Sequence, residues 1–326
     1  MQIEIPKEYD GSLLRQFLRA ELRLSSKVIK HLKFLDGGIL VNGEHATVRR
    51  VLAEGDRLEL ALEDTASAPI APVELPIEIL YEDSELVIPS KPANMPTHPS
   101  HDHYDDTVAN ALAFRYAQEG IPFVFRPINR LDRNTSGLLL VARNRPSAGR
   151  LTAAMQRGEI HKSYLAILDG EMTQTGGVID APLHRTAESI ILREVCSADT
   201  PDADAARTEY TVLATGNGHT LVKAHPITGR THQLRVHFAH LGHPITGDDL
   251  YGVPSPYIAR HALHARELSF PHPTDGRRVT VTAPLAEDFA RVLQILNLEG
   301  TIESWPPNNR PKKPNDSLES ASPFIF

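Results

Sequence analysis

One cysteine, Cys196, stands in a chain of 326 residues, so no intrachain disulfide can form. A reducing compartment, the cytoplasm, is the location this implies. No uninterrupted apolar run approaches the ~20 residues that a membrane helix requires. The opening residues, Met1 to Asp10, carry acids and lack the apolar core of a secretory signal. Neither G-x-x-x-x-G-K-[ST] nor G-x-G-x-x-G occurs, which removes the usual anchors of nucleotide hydrolysis and dinucleotide redox chemistry. Ser136 lies in Thr-Ser-Gly-Leu rather than in a G-x-S-x-G elbow, and an aspartate four residues before a serine suits no familiar triad. Net positive charge is also lacking, the formal total being −7. That speaks against a nucleic-acid partner only in sum, because binding depends on where charges lie.

What is present begins with a small module over residues 1–62. Leu14, Phe17 and Leu18 recur at helical spacing, with Arg15, Arg19 and Arg23 along a neighbouring face. Ser25 or Ser26 caps a second helix in which Val28, Ile29 and Leu32 are apolar and Lys27, Lys30 and Lys33 basic. Strands follow at Ile39-Leu-Val41 and near Gly55-Asp-Arg-Leu-Glu-Leu60. The two helices therefore offer either an RNA-binding face or an ordinary solvated one. Residues 63–76, rich in Pro, Ala and Ser, read as a linker.

A second domain is expected over residues 77–302. It opens with a hairpin, Ile79–Asp83 and Leu86–Pro92, and a helix from Thr107 to Gln118. Leu138 to Ala142 reads as one short buried strand. A helix from Ser147, strands at His161–Gly170, Glu209–Ala214 and His219–Ala224, and a helix within Gly229–Gly242 come next. Strands at His264–Phe270 and Arg278–Ala283 and a helix from Pro284 to Leu296 close it. The acidic stretch Glu194–Asp204 is expected to be a mobile loop, and residues 303–326 a disordered tail. Many strands with separated helices make an α+β fold around a mainly antiparallel sheet, preceded by a small α/β domain.

The stretch Arg126-Pro-Ile-Asn-Arg-Leu-Asp-Arg-Asn-Thr-Ser-Gly-Leu138 places one carboxylate, Asp132, among arginines on a loop before a buried strand. Such a loop is where reactive side chains are often mounted, although an Arg–Asp pair bracing a turn would read the same way. His232, His237, His240 and His243 form a second cluster. Arg230 and Arg235 within it oppose a bound cation, so no metal is expected.

Several motifs together resemble the RluA-type pseudouridine synthases. They are Tyr81-Glu-Asp83 with Lys91-Pro92, Asn129-Arg-Leu-Asp-Arg-Asn-Thr-Ser-Gly-Leu138, and Lys162-Ser-Tyr-Leu-Ala166. Gly229-Arg-Thr-His-Gln-Leu-Arg-Val-His237, Gly242-His-Pro-Ile-Thr-Gly-Asp248 with Tyr251-Gly252, and Leu263-His-Ala265 with Pro284-Leu285 complete the set. Residues 11–62 resemble the S-four-like RNA-binding domain, through Ser26-Lys27, Val41-Asn-Gly43 and Gly55-Asp56.

The resemblance implies isomerisation of uridine in structured RNA, large-subunit ribosomal RNA foremost, by a cytoplasmic monomer needing no cofactor. It implies Asp132 as catalytic carboxylate, Tyr164 as the aromatic that stacks on the flipped base, and Arg235 as the basic partner of Asp132. Arg130 and Arg133 then contact RNA, Lys162 and Arg230 act as phosphate contacts or scaffold, and Arg15, Arg19, Lys27 and Lys30 serve the N-terminal module. Two departures stand out: Asn129 where the family usually has His, and Asn94 where a Gly is common. The alternatives are an RNA-binding or ribosome-assembly factor without activity, or the same reaction on transfer RNA.

Overall fold

The computed structural model describes residues 2–299 except 23, 25–28, 30, 31, 36, 62–69, 101, 188 and 190. Lys27 and Lys30, half of the linker and the tail therefore lie outside the described residues. The chain divides into two compact units, Met1–Pro69 and Ile70–Phe326.

The first unit contains β1 (Gln2–Glu4), α1 (Leu14–Ala20), β2 (Ile39–Val41), β3 (Glu44–His45) and β4 (Arg57–Leu60). Its four strands run in the order β1-β4-β2-β3. Leu14, Phe17 and Leu18 of α1 pack with Leu32, Ile39, Val41 and Leu58 into one apolar core. Arg15 and Arg19 are left exposed.

The second unit starts with β5 (Glu78–Glu82), β6 (Leu86–Lys91), α2 (Val108–Gln118), β7 (Arg126–Pro127), β8 (Ser136–Leu138) and β9 (Val141–Ala142). It continues with α3 (Arg145–Gln156), β10 (His161–Asp169), β11 (Gly176–Asp180), β12 (Leu183–Arg185), β13 (Arg193–Val195), β14 (Arg207–Gly216) and β15 (His219–Pro226). Last come α4 (Gln233–His240), β16 (Leu263–Pro271), β17 (Arg278–Thr282) and α5 (Glu287–Ile295). The main sheet has the order β11-β14-β15-β10-β16-β8-β6-β9-β7, with β17 on β16 and β5 on β6. Every pairing in it is antiparallel except β16 with β8, which makes this a mixed, mainly antiparallel α+β fold.

Two sequence readings need correcting. Leu138 to Ala142 is not one strand but the end of β8 and all of β9, both laid along β6. The ladder breaks opposite Pro89, which has no N–H to give, and the Leu139 amide instead donates to the Pro89 carbonyl at 3.2 Å. Glu194–Asp204 is not simply a loop. Its start belongs to β13, paired with β12, and the Asp204 amide donates to the Leu183 carbonyl at 2.8 Å. Both strands are short and lack clean alternation, and β11 was missed for the same reason.

Candidate active site

Asp132 lies on the loop between β7 and β8, and that loop is held at almost every residue. Thr97 Oγ1 accepts the Leu131 amide at 3.2 Å and donates to its carbonyl at 3.0 Å. The Thr135 amide donates to the Asp132 carbonyl at 3.1 Å, closing a turn. Arg260 donates to the Asn134 carbonyl at 3.0 Å. Thr135 Oγ1 lies 2.9 Å from His261 Nε2. Ser136 Oγ accepts from Arg260 at 3.2 Å and so offers its proton to His264 Nδ1 at 2.9 Å. Burial, with Arg235 and Arg260 nearby, pushes His261 down to about 3; burial, with Arg266 and Arg260, does the same to His264, so both are neutral.

Lys91 secures the loop from β6. Its ammonium is buried and donates to the carbonyls of Pro92 (2.8 Å), Met95 (2.7 Å) and Arg133 (2.8 Å). Those three acceptors use all the N–H bonds of the charged form, although burial, with Arg260 adding, pushes its pKa down to about 7. Gly137 ends the loop at φ +110°, and a Cβ there would lie 2.2 Å from the Ala265 carbonyl oxygen. Only glycine lets β8 enter beside β16.

The arginines adjacent in sequence are not the partners of Asp132. Arg130 and Arg133 are exposed, and Arg126 donates to the carbonyls of Val124 and Arg143. The cation facing Asp132 is Arg235 of α4, 3.8 Å away, its side chain 5% exposed against 29% for the carboxylate. Arg235 is itself clasped by the fully buried Asp248, with Nε to Oδ2 at 2.7 Å and NH2 to Oδ1 at 2.6 Å. Its guanidinium also lies over the Tyr251 ring, 5.2 Å from the centroid. Burial opposes the Arg235 charge, but the Asp248 hydrogen bonds and the charges of Asp248 and Asp132 outweigh it and raise the pKa.

Tyr164 enters from β10, where the register shifts between Ser163 and Tyr164. It is buried, and burial together with the Asp132 charge raises its phenol well above the usual range. His232 precedes α4 with φ +57° and lies 2.8 Å from the Tyr251 hydroxyl through Nδ1. Asp132, Arg235 and Tyr164 thus converge from three segments.

The other expected site residues divide. Arg230 is exposed and tied to Asp204 at 2.9 Å and to the Ala205 carbonyl at 3.0 Å. Lys162 is buried on β10. The histidines serve structure: His237 lies 2.9 Å from Thr208 Oγ1 and 3.0 Å from the Ala181 carbonyl, and His243 2.9 Å from the Asp169 carbonyl. Sequence reasoning gave no role to Lys91, Asp248, Tyr251, Arg260, His261 or His264. Most sit inside the motifs quoted above, and their presence there was the only signal available.

Among known proteins, the RNA pseudouridylate synthase family profile matches residues 85–240. A profile for the N-terminal domain of the ribosomal pseudouridine synthase RluD matches residues 1–58. The RNA pseudouridine synthase YjbO of Bacillus subtilis is 37% identical over 88% of this chain and 98% of its own. The ribosomal large subunit pseudouridine synthase D of Escherichia coli K12 is 33% identical, over 81% of this chain and 84% of its own. The human RNA pseudouridylate synthase domain containing 1 superposes with a TM-score of 0.56 at 28% identity, covering 66% of this chain and 86% of its own. The chain belongs to the RNA pseudouridine synthase family. Its activity is that of an RNA isomerase.

Proposed function

We propose that this enzyme converts uridine to pseudouridine in large-subunit ribosomal RNA, with Asp132 as the catalytic carboxylate. The observation that carries this is the convergence of a half-exposed carboxylate, a buried guanidinium 3.8 Å from it and a buried tyrosine. Large-subunit ribosomal RNA is the substrate named for the RluD relatives, which this chain matches in both of its units.

A uridine in folded RNA must be flipped out before a side chain reaches its glycosidic bond, at a cost of a few kcal/mol. Stacking on Tyr164 offsets this by about 1–3 kcal/mol. Asp132 then either attacks the anomeric carbon or takes the proton from the 2′ carbon. The detached uracil turns in the pocket and is rejoined through carbon 5. No water enters the sequence, so one carboxylate suffices and no cofactor is required.

Arg235 stabilises the Asp132 carboxylate and holds it in place. The Tyr164 phenol begins protonated, as a stacking face and hydrogen-bond donor. Ester formation at Asp132 would remove its negative charge and with it one of the two causes that raise the phenol. That lowers the phenol's pKa, so Tyr164 gives up its proton more readily late in the reaction than early. Arg130 and Arg133, exposed on the same loop, contact the RNA. Arg15 and Arg19, with Lys27 and Lys30, give the N-terminal module its phosphate contacts. The enzyme works as a cytoplasmic monomer on this reading.

Chemical mapping of pseudouridine in total RNA, with and without the gene, tests the function. The deletion should lose signal at specific ribosomal uridines, and Asp132→Asn should behave like the deletion. Modification retained by Asp132→Asn would falsify the assignment of Asp132.

A further inference from the structure

The histidines around the site differ in what their two ring nitrogens meet. His237 is engaged through both, to Thr208 Oγ1 and to the Ala181 carbonyl. His261 and His264 each use one nitrogen to hold the loop of Asp132. Their other nitrogen is buried without a partner among the described residues, where no substrate reaches it. His232 is unlike all three. Its Nδ1 lies 2.8 Å from the Tyr251 hydroxyl, while its Nε2 meets no partner among the described residues and stays open to solvent. The mechanism above gives this ring no task.

The partners of Tyr251 decide which nitrogen of His232 carries the hydrogen. The Arg193 amide, which can only donate, gives its hydrogen to the Tyr251 oxygen at 3.0 Å. The phenol's own hydrogen has one acceptor among the described residues, His232 Nδ1. A neutral ring that accepts at Nδ1 carries its hydrogen on Nε2. Burial keeps the ring neutral by lowering its pKa below the usual 6.5, and the surrounding charges oppose one another, Asp132 and Asp248 against Arg235 and Arg193. Tyr251 also fixes where the ring lies. It packs edge-on against His232, with centroids 5.6 Å apart, and carries the Arg235 guanidinium 5.2 Å from its own centroid. His232 and Arg235 thus flank one tyrosine, and Arg235 stands 3.8 Å from Asp132.

We infer that His232 is a further catalytic residue, whose Nε2–H donates a hydrogen bond to a carbonyl oxygen of the uracil while it is detached from the ribose. When the C1′–N1 bond breaks, its electron pair stays with the uracil, which carries the negative charge on N1 and on its carbonyl oxygens. A fixed N–H aimed at such an oxygen counts for most once that charge has developed. Arg235 is already engaged by Asp248 and has little charge to spare. A neutral donor suits the place for a second reason: an imidazolium would pair with Asp132 in the free enzyme and blunt its reactivity. His232 keeps its hydrogen throughout, and no proton passes through it. This rests on the proposed role of Asp132, but it stands or fails on its own variant.

His232→Asn isolates the donor. Asn tolerates the left-handed backbone at φ +57°, and its Oδ1 can take the Tyr251 hydrogen in place of Nδ1, but nothing replaces Nε2–H. The full chain is assayed on large-subunit ribosomal RNA from the gene-deletion strain, in single turnover with enzyme in excess. His232→Asn should melt at the parent's temperature and bind the RNA as tightly. Its rate of pseudouridine formation should fall about a hundredfold, the loss expected for one donor to a developing anion. In synthetic stem-loops of the target sequence, 2-thiouridine or 4-thiouridine exchanges one carbonyl oxygen for a weaker acceptor. One of the two should slow the parent and cost His232→Asn nothing more. Ring-nitrogen NMR shifts of the isotope-labelled parent, assigned by the signals that His232→Asn loses, should report the Nε2–H tautomer. An unchanged rate, equal losses in rate and affinity, thio effects that add in full at both positions, or the Nδ1–H tautomer would each overturn the inference. So would a variant that melts well below the parent, since the residue would then be structural. If Asp132→Asn stays active, the reading of Asp132 falls, and a slow His232→Asn still ties the histidine to the reaction.

Discussion

Arg235 is shared among three carboxylates, clasping Asp248 at 2.6 and 2.7 Å while standing 3.5 Å from the exposed Asp249 and 3.8 Å from Asp132. The buried Asp248 orients the guanidinium, and the Asp132 carboxylate, 29% exposed, faces it without a hydrogen bond among the described residues. Asp248 Oδ1 also accepts the amides of Leu250 and Tyr251, at 3.0 and 3.1 Å, so the loop after it is shaped by the same group.

Asp248→Asn leaves a buried guanidinium half-compensated. Removal of one partner from a buried pair costs about 3–5 kcal/mol. Urea unfolding should show a loss of that order. Pseudouridine formation should fall as well, because Arg235 is then free to close on Asp132. A variant as stable and active as the parent would show that Asp248 does not position Arg235.

Tyr164 behaves differently. Its hydroxyl makes no hydrogen bond among the described residues, so Tyr164→Phe should change stability by roughly 0.5 kcal/mol or less. RNA binding should persist, since the stacking face remains, while the rate of pseudouridine formation drops. Single-turnover kinetics beside a binding titration separates the two. Equal loss in both would show that the hydroxyl serves RNA binding rather than the chemical steps.

Asn129 occupies the place of the family's usual histidine, and its Oδ1 accepts the Leu140 amide at 2.8 Å. The Ile128 amide donates to the Leu140 carbonyl at 2.8 Å, so Asn129 extends the pairing of the segment that leads into Asp132. Asn129→Ala orphans a buried amide and should cost about 1–3 kcal/mol. Asn129→His can still present a ring-nitrogen acceptor and should keep activity in the mapping assay. Its inactivity would mean that the amide geometry itself is required.

His261 and His264 make stability depend on pH. Both are held at about 3 in the folded chain, against about 6.5 when unfolded. Between those values the unfolded chain binds the extra protons. Their stabilisation is therefore fully present above pH ~6.5 and drains as pH falls toward ~3. Each contributes a slope of up to about 1.4 kcal/mol per pH unit. Asp248 and Asp288, both kept below the usual carboxylate range, add to the loss once pH falls through the unfolded carboxylate value, about 3.9. Urea midpoints at pH 7, 5.5 and 4 should fall steadily; a flat response would mean that neither histidine stays neutral.

Much of the fold could be read locally. Leu14, Phe17 and Leu18 at helical spacing gave α1, and the runs around Tyr81 and Ile88 gave the β5–β6 hairpin. The reading failed where the local signal was weak or interrupted. Pro89 on the neighbouring strand, not anything within Leu138–Ala142, splits β8 from β9.

By itself the sequence determined that a chain with one cysteine carries the ordered motifs of the RNA pseudouridine synthases, with Asp132 on a glycine-ended loop. It could not say which cation meets that carboxylate. Arg130 and Arg133 are nearest along the chain, yet Arg235, about a hundred residues on, is the one that faces it. Nor could it tell that Lys91 is buried and saturated by three carbonyls. Charge and spacing are local properties and can be read in order. Which charges are desolvated, and against what, is decided only when distant strands pack, because pairing and burial belong to the folded chain.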